Sequence, residues 1–137
     1  MDFKARTATL EGFDGLLVSV EGGLGIATAR TLAEPAELAL GASCPLVLDL
    51  SKCSFIDWMG LPFVLRAHEA LAEVGEAMAL VTDHALIRKM LFLTGIDRSV
   101  RIFKTRDTAI AWAGSQKARV PGGDAPPSLS AVANGDR

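Results

Sequence analysis

The chain has 137 residues, half of them hydrophobic and 22% charged, with a formal net charge of −2. That balance describes one globular domain, long enough to bury about two thirds of its unfolded surface. Residues 1–113 carry 11 Lys and Arg against 14 Asp and Glu, with no long basic run, which argues against nucleic-acid binding driven by phosphate contacts. No uninterrupted apolar stretch of about 18 residues is present to span a bilayer. The start Met1-Asp2-Phe3-Lys4-Ala5-Arg6 lacks the apolar core of a signal peptide, so a cytoplasmic location with reduced thiols is expected, without membrane insertion. Cys44 and Cys53 fit no zinc spacing, and His68 and His84 are the only histidines; no metal or cofactor is expected.

In chain order, Thr7 to Leu10 and Leu16 to Val20 read as two short strands joined by the turn Glu11-Gly12-Phe13-Asp14-Gly15. Ile26, Ala29, Leu32, Ala33, Ala36 and Leu40 recur at amphipathic helical spacing. Pro35 sits inside that pattern and removes one backbone donor, so a kink or restart is expected there. Leu46 to Leu50 is a short apolar run, the signature of a buried strand. The helix Leu61 to Val74 carries Phe63, Val64, Ala67, Ala70, Leu71 and Val74 on one face and Arg66, Glu69, Glu73 and Glu76 on the other. Pro62 suits its first turn and Gly75 its C-terminal cap.

Met78 to Val81 reads as a strand, and Asp83 as the N-cap of a helix ending near Thr94-Gly95. Val100 to Phe103 is a last strand, after which Thr105 and Asp107 open a short helix through Trp112. From Gly114 onward the composition shifts: the last 24 residues hold four glycines, three prolines and three serines. Such a segment buries too little apolar surface to offset its ordering entropy. The expected organisation is therefore a folded domain over 1–113 and a flexible tail over 114–137.

The order β-β-α-β-α-β-α-β-α implies an α/β fold: a mixed, mostly parallel sheet packed with about four helices. The parallel part follows from the helical crossovers, and the first hairpin adds an antiparallel pair.

Between the apolar run and the helix at Leu61, the chain must turn over and present Asp57, Trp58 and Met59 at a helix N-terminus. Working residues of α/β domains concentrate in such places. Neither Trp nor Met acts as a nucleophile or phosphoryl acceptor, so the tip suits contact rather than chemistry. Trp58 reads equally as an interface anchor or as a ring folded back over the helix start. Met59 reads first as packing, and Asp57 as a helix cap, a contact, or both.

Three segments resemble the STAS family, whose members include bacterial anti-sigma factor antagonists. Val47-Leu48-Asp49-Leu50-Ser51 is similar to that family's central strand and its terminal aspartate. Phe55-Ile56-Asp57, followed by Gly60-Leu61, resembles its switch loop and the helix after it. Leu93-Thr94-Gly95-Ile96-Asp97 resembles its late helix terminus. The resemblance runs from about Leu16 to Trp112. It implies a single STAS-type domain acting as a partner-switching module, bound to an anti-sigma factor that is also a serine kinase. Phosphorylation of a hydroxyl just after the loop aspartate would break that complex, because phosphate adds nearly two negative charges at the interface.

This chain departs from the pattern where the switch should be. Trp58 and Met59 occupy the positions that usually hold a Ser or Thr, and Gly25 stands where a second acidic residue is expected. No phosphorylation is therefore expected at the family site. The expectation is a non-enzymatic protein–protein recognition module, an antagonist-like regulator in bacterial transcription or signalling. Its binding face would be Asp57, Trp58, Met59, Gly60 and Leu61, flanked by Lys52 in a Lys52-Cys53 loop. The partner would be a kinase-type anti-sigma factor bound constitutively, or another STAS protein. An alternative of a different class is a small-molecule, nucleotide or lipid-binding accessory subunit.

The remaining polar residues have simpler readings. Asp49 is expected to tie down the loop after its strand. Ser51 and Ser54, the nearest hydroxyls, belong to loop structure, and His68, at the edge of its helix's polar stripe, and His84 lack triad or ligand partners. Gly22-Gly23-Leu24-Gly25 lacks the Lys-Ser/Thr ending of a phosphate loop and reads as a turn.

Overall fold

The computed structural model describes residues 4–10, 12 and 14–119. Its five-stranded sheet runs in the order β1-β2-β3-β4-β5. The strands are β1 (Lys4–Thr9), β2 (Leu16–Leu24), β3 (Leu46–Ile56), β4 (Met78–Val81) and β5 (Arg101–Phe103). β1 and β2 pair antiparallel, and β2, β3, β4 and β5 pair parallel. The helices among the described residues are α1 (Ile26–Ala42), α2 (Leu61–Glu73), α3 (Ala85–Thr94), α4 (Ile96–Ser99) and α5 (Arg106–Arg119). The mixed α/β class and the alternation expected from the sequence hold, with one short helix more than the pattern revealed.

Side-chain alternation along the strands divides the core into two layers. Val18, Val20, Leu46, Leu48, Leu50, Met78 and Leu80 pack with Ala39 of α1, Val64 and Leu71 of α2, and Ile87 and Leu91 of α3. Leu17, Val47, Ala79 and Val81 point the other way, onto Ala109 and Ala113 of α5. Successive right-handed crossovers between neighbouring parallel strands put α1, α2 and α3 on one face. The closing helix α5 covers the other. Strands buried on both faces read as continuous apolar runs, which is why Leu46 to Leu50 was legible as a strand.

Several local expectations change. β3 does not stop at Leu50 but continues to Ile56, so Lys52 and Cys53 lie in a strand rather than a loop. Its extension is held by the second half of β2, where Glu21 pairs with Lys52, Gly22 with Cys53 and Leu24 with Ile56 across two register shifts. Gly22 and Gly23 are thus bulged strand, not turn; Gly22 has φ +95°, which glycine adopts without steric cost. α1 runs as one helix from Ile26 to Ala42 with Pro35 inside it. The N-cap of α3 is His84, one residue after the expected Asp83; the His84 N–H donates to Thr82 Oγ1 at 3.2 Å. Gly75 and Gly95 both adopt φ +79°, the left-handed conformation that ends α2 and α3.

The last helix reaches Arg119, so the boundary expected after residue 113 falls inside α5. Residues 120–137, the greater part of the expected tail, lie outside the described residues. So do two residues of the expected first turn, Glu11 and Phe13.

Candidate partner-binding site

The tip connecting β3 to α2 lies at the C-terminal end of the parallel strands, where open α/β sheets place their sites. Its shape is set by short hydrogen bonds. The Asp57 N–H donates to the Leu24 carbonyl at 2.8 Å, pinning the end of β3 to the end of β2. The Gly60 N–H donates to the Asp57 carbonyl at 2.9 Å. The Met59 N–H donates to Asp57 Oδ1 at 2.9 Å, the side-chain turn that Asp forms readily. Asp57 therefore shapes the turn before the helix, and the N-cap position itself belongs to Gly60.

Gly60 is favoured by close packing rather than by its dihedral angles. A Cβ there would lie 3.1 Å from the Leu24 carbonyl oxygen and 3.3 Å from that of Gly25. The tip is thus pressed directly onto the β2–α1 junction. A Cβ on Gly25 would stand 3.8 Å from the Asp57 Cβ. An acidic residue at position 25 would face Asp57; glycine leaves that place without a carboxylate.

This backbone directs Trp58 and Met59 outward, with 58% and 60% of their surfaces exposed. Phe55 is 41% exposed just before them. Trp58 is more than half exposed, which places it at the surface rather than in the packing around the helix start. Of the residues expected on the binding face, Leu61 is instead core, 3% exposed, and Gly60 is buried beneath the tip. Lys52 is exposed on β3. The exposed surface is Phe55, Trp58 and Met59 with Asp57 half-buried among them. Phe55 was not among the residues expected on this face; Cys53 is buried and Phe55 exposed although strict alternation would put both on one side, so the sequence carried no periodic signal for it.

The Ser54 hydroxyl and the Cys53 thiol near the tip are engaged in hydrogen bonds. Ser54 Oγ donates to the Gly22 carbonyl at 3.3 Å, and the Ser51 N–H donates to Asp49 Oδ1 at 2.9 Å. Asp49, 2% exposed, also receives Arg106 Nε from α5 at 2.7 Å. Asp49 was expected to tie down a loop after its strand; β3 instead continues past it, and its carboxylate accepts hydrogen bonds from the Ser51 N–H within the strand and from Arg106 of α5. The Cys53 thiol donates to the Phe55 carbonyl at 3.1 Å. Burial pushes that thiol up from its ordinary pKa, against the smaller opposite pull of backbone hydrogen bonds. It therefore stays protonated and a poor nucleophile. Among the described residues, no group of three or more His, Cys, Asp or Glu is placed to hold a metal ion, and no helix is long and apolar enough to cross a membrane.

Residues 4–109 match the family model of the STAS domain. The chain belongs to the STAS domain family. Among solved structures, this STAS chain is similar to an anti-sigma factor antagonist from Mycobacterium paratuberculosis. The two share 26% identity with a TM-score of 0.71, over 82% of this chain and 95% of that one. It also resembles the phosphorylated form of the Bacillus cell fate determinant SpoIIAA, at 18% identity and TM-score 0.60, over 81% and 98% of the two chains. A sulfate transporter family protein from Wolinella succinogenes aligns at 17% identity and TM-score 0.69, over 81% and 92%. No curated protein matches the chain by sequence.

Proposed function

We infer that this STAS domain is a cytoplasmic protein-recognition module, an antagonist-like regulator of a kinase-type anti-sigma factor, and that it works without catalysis or a phosphorylation switch. The observation that carries the reading is the tip itself. Trp58 and Met59 are exposed on a hydrogen-bonded turn, at the site where a switch hydroxyl would stand, with Phe55 exposed near the end of β3 just before them. Isolated exposed apolar residues need no explanation, but a large aromatic and a thioether projected by a fixed turn match the anchors of binding hot spots. The likeness to an anti-sigma factor antagonist at 26% identity supports the partner class.

With Trp58 and Met59 in place of a phosphoryl acceptor, binding is constitutive: no added charge is available to break the complex. Asp57, Trp58 and Met59 form the contact surface, with Phe55 and Lys52 flanking it. Gly60 and Leu61 contribute by holding it in shape. Affinity capture from native lysate tests the reading, with Trp58→Ala beside the unaltered protein. One specific partner should be lost from the variant. Identical captured sets would place the interface elsewhere.

A further inference from the structure

The helices α1 and α2 leave a cleft of about 220 Å³ between them over the sheet. Core residues Leu48 and Met78, both almost fully buried, close it at the bottom, and the small side chains Ala33 and Ala36 of α1 and Ala67 of α2 leave its sides low. Larger side chains at those positions would fill the space. An apolar cavity of about 150 Å³ stays dry and admits benzene, so this one has room for a branched chain or an aromatic ring.

Two charged side chains, both exposed, complete the lining: Glu37 from α1 and Arg66 from α2. Among the described residues, neither forms a salt bridge; the Arg66 guanidinium rests 4.7 Å over the ring of Phe63, which also lines the cleft. The cleft thus offers an apolar seat with one unpaired cation and one unpaired anion. A fatty acid would set its carboxylate near Glu37 as well as Arg66, an amine its charge near Arg66 as well as Glu37. A zwitterion carrying both charges on one carbon complements both.

We propose that the α1–α2 cleft binds an apolar α-amino acid, with its side chain among the partly buried Leu32, Ala36, Phe63 and Ala67, its carboxylate toward Arg66 and its ammonium toward Glu37. This site is separate from partner recognition, since no tip residue lines it. The test is a thermal-shift and calorimetric titration of the full chain with L-leucine and L-phenylalanine, beside hexanoate and hexylamine, which each keep only one charge.

At least one of the amino acids should raise the melting temperature saturably, with each single-charge analogue binding about tenfold more weakly or worse. Glu37→Gln and Arg66→Gln, both at exposed positions, should each weaken the amino acid by a similar factor. Ala67→Leu, which fills the cleft, should abolish binding. The proposal is overturned if neither amino acid gives a saturable shift up to about 10 mM. It is equally overturned if hexanoate or hexylamine binds as tightly, or if both charge variants keep full affinity.

Discussion

Arg106, at the start of α5, places its Nε 2.7 Å from Oδ2 of Asp49, in the middle of the sheet's central strand. The same guanidinium reaches Ser19 Oγ of β2 at 3.1 Å. One side chain therefore fastens the last helix to two strands that lie far from it in sequence. Asp49 is buried while Arg106 is half-exposed. Surface pairing alone stabilises by at most about 1 kcal/mol, but a buried carboxylate that loses its partner costs more.

Arg106→Ala should accordingly destabilise the domain by about 2 kcal/mol, through the carboxylate left behind. Replacing both residues, as Asp49→Asn with Arg106→Ala, should cost less than the two single changes added together. Urea denaturation of the four proteins measures the coupling. Strict additivity would mean that the pair contributes nothing beyond packing.

Gly60→Ala should cost about 1–3 kcal/mol, because its Cβ would meet backbone oxygens that cannot rotate away. Gly41, an exposed helical position with open space around it, provides the opposite case. There alanine should stabilise by about 0.5–1 kcal/mol. Thermal melts of the two variants decide whether close approach, rather than glycine's flexibility, is what Gly60 supplies.

His68 falls on the seam of α2 that contains Leu61, Val64 and Leu71, not at the edge of its polar stripe. Its Nδ1 is buried with no hydrogen-bond partner among the described residues. Burial lowers its pKa, and the nearby Glu69 opposes this only in part. With the folded pKa below the unfolded value of about 6.5, the unfolded state takes up the proton first as pH falls. The stability associated with His68 is therefore fully present above the unfolded pKa, and is lost as pH drops through that value toward the folded one. Denaturation at neutral and mildly acidic pH should show a smaller loss for His68→Leu than for the unaltered protein. Equal losses would show that His68 does not titrate in this window.

Incubation with a kinase-type anti-sigma factor and ATP should leave the mass of the protein unchanged. Ser51 and Ser54 lie in β3, and the Ser54 hydroxyl is engaged with the Gly22 carbonyl. A stoichiometric phosphate on either serine would restore a switch and contradict constitutive binding.

The architecture was largely legible in the sequence because its strands and helices alternate in apolar period. Leu46 to Leu50 and the α2 face announced themselves in that way. The tip was legible too, through the odd pair Trp58-Met59. What escaped was non-local. Ser51 and Lys52 interrupt the apolar run, yet β3 continues through them because β2 supplies hydrogen-bond partners. Gly22 and Gly23 resemble a turn in isolation and become strand only beside β3. Leu61 resembles a tip residue by position, but the first turn of α2 points it into the core. The four residues of α4 are too few to show a period, and nothing near Asp49 in sequence announces Arg106.

On the proposed function, Trp58 anchors a partner without serving the fold. Calorimetric titration of a purified kinase-type anti-sigma factor against the unaltered protein and Trp58→Ala, with and without ATP, tests it most directly. The two proteins should melt at equal temperatures, the substitution should weaken binding at least about tenfold, and ATP should have no effect on the unaltered complex. Equal affinity of the two proteins for that partner, or release of the complex by ATP, would contradict it.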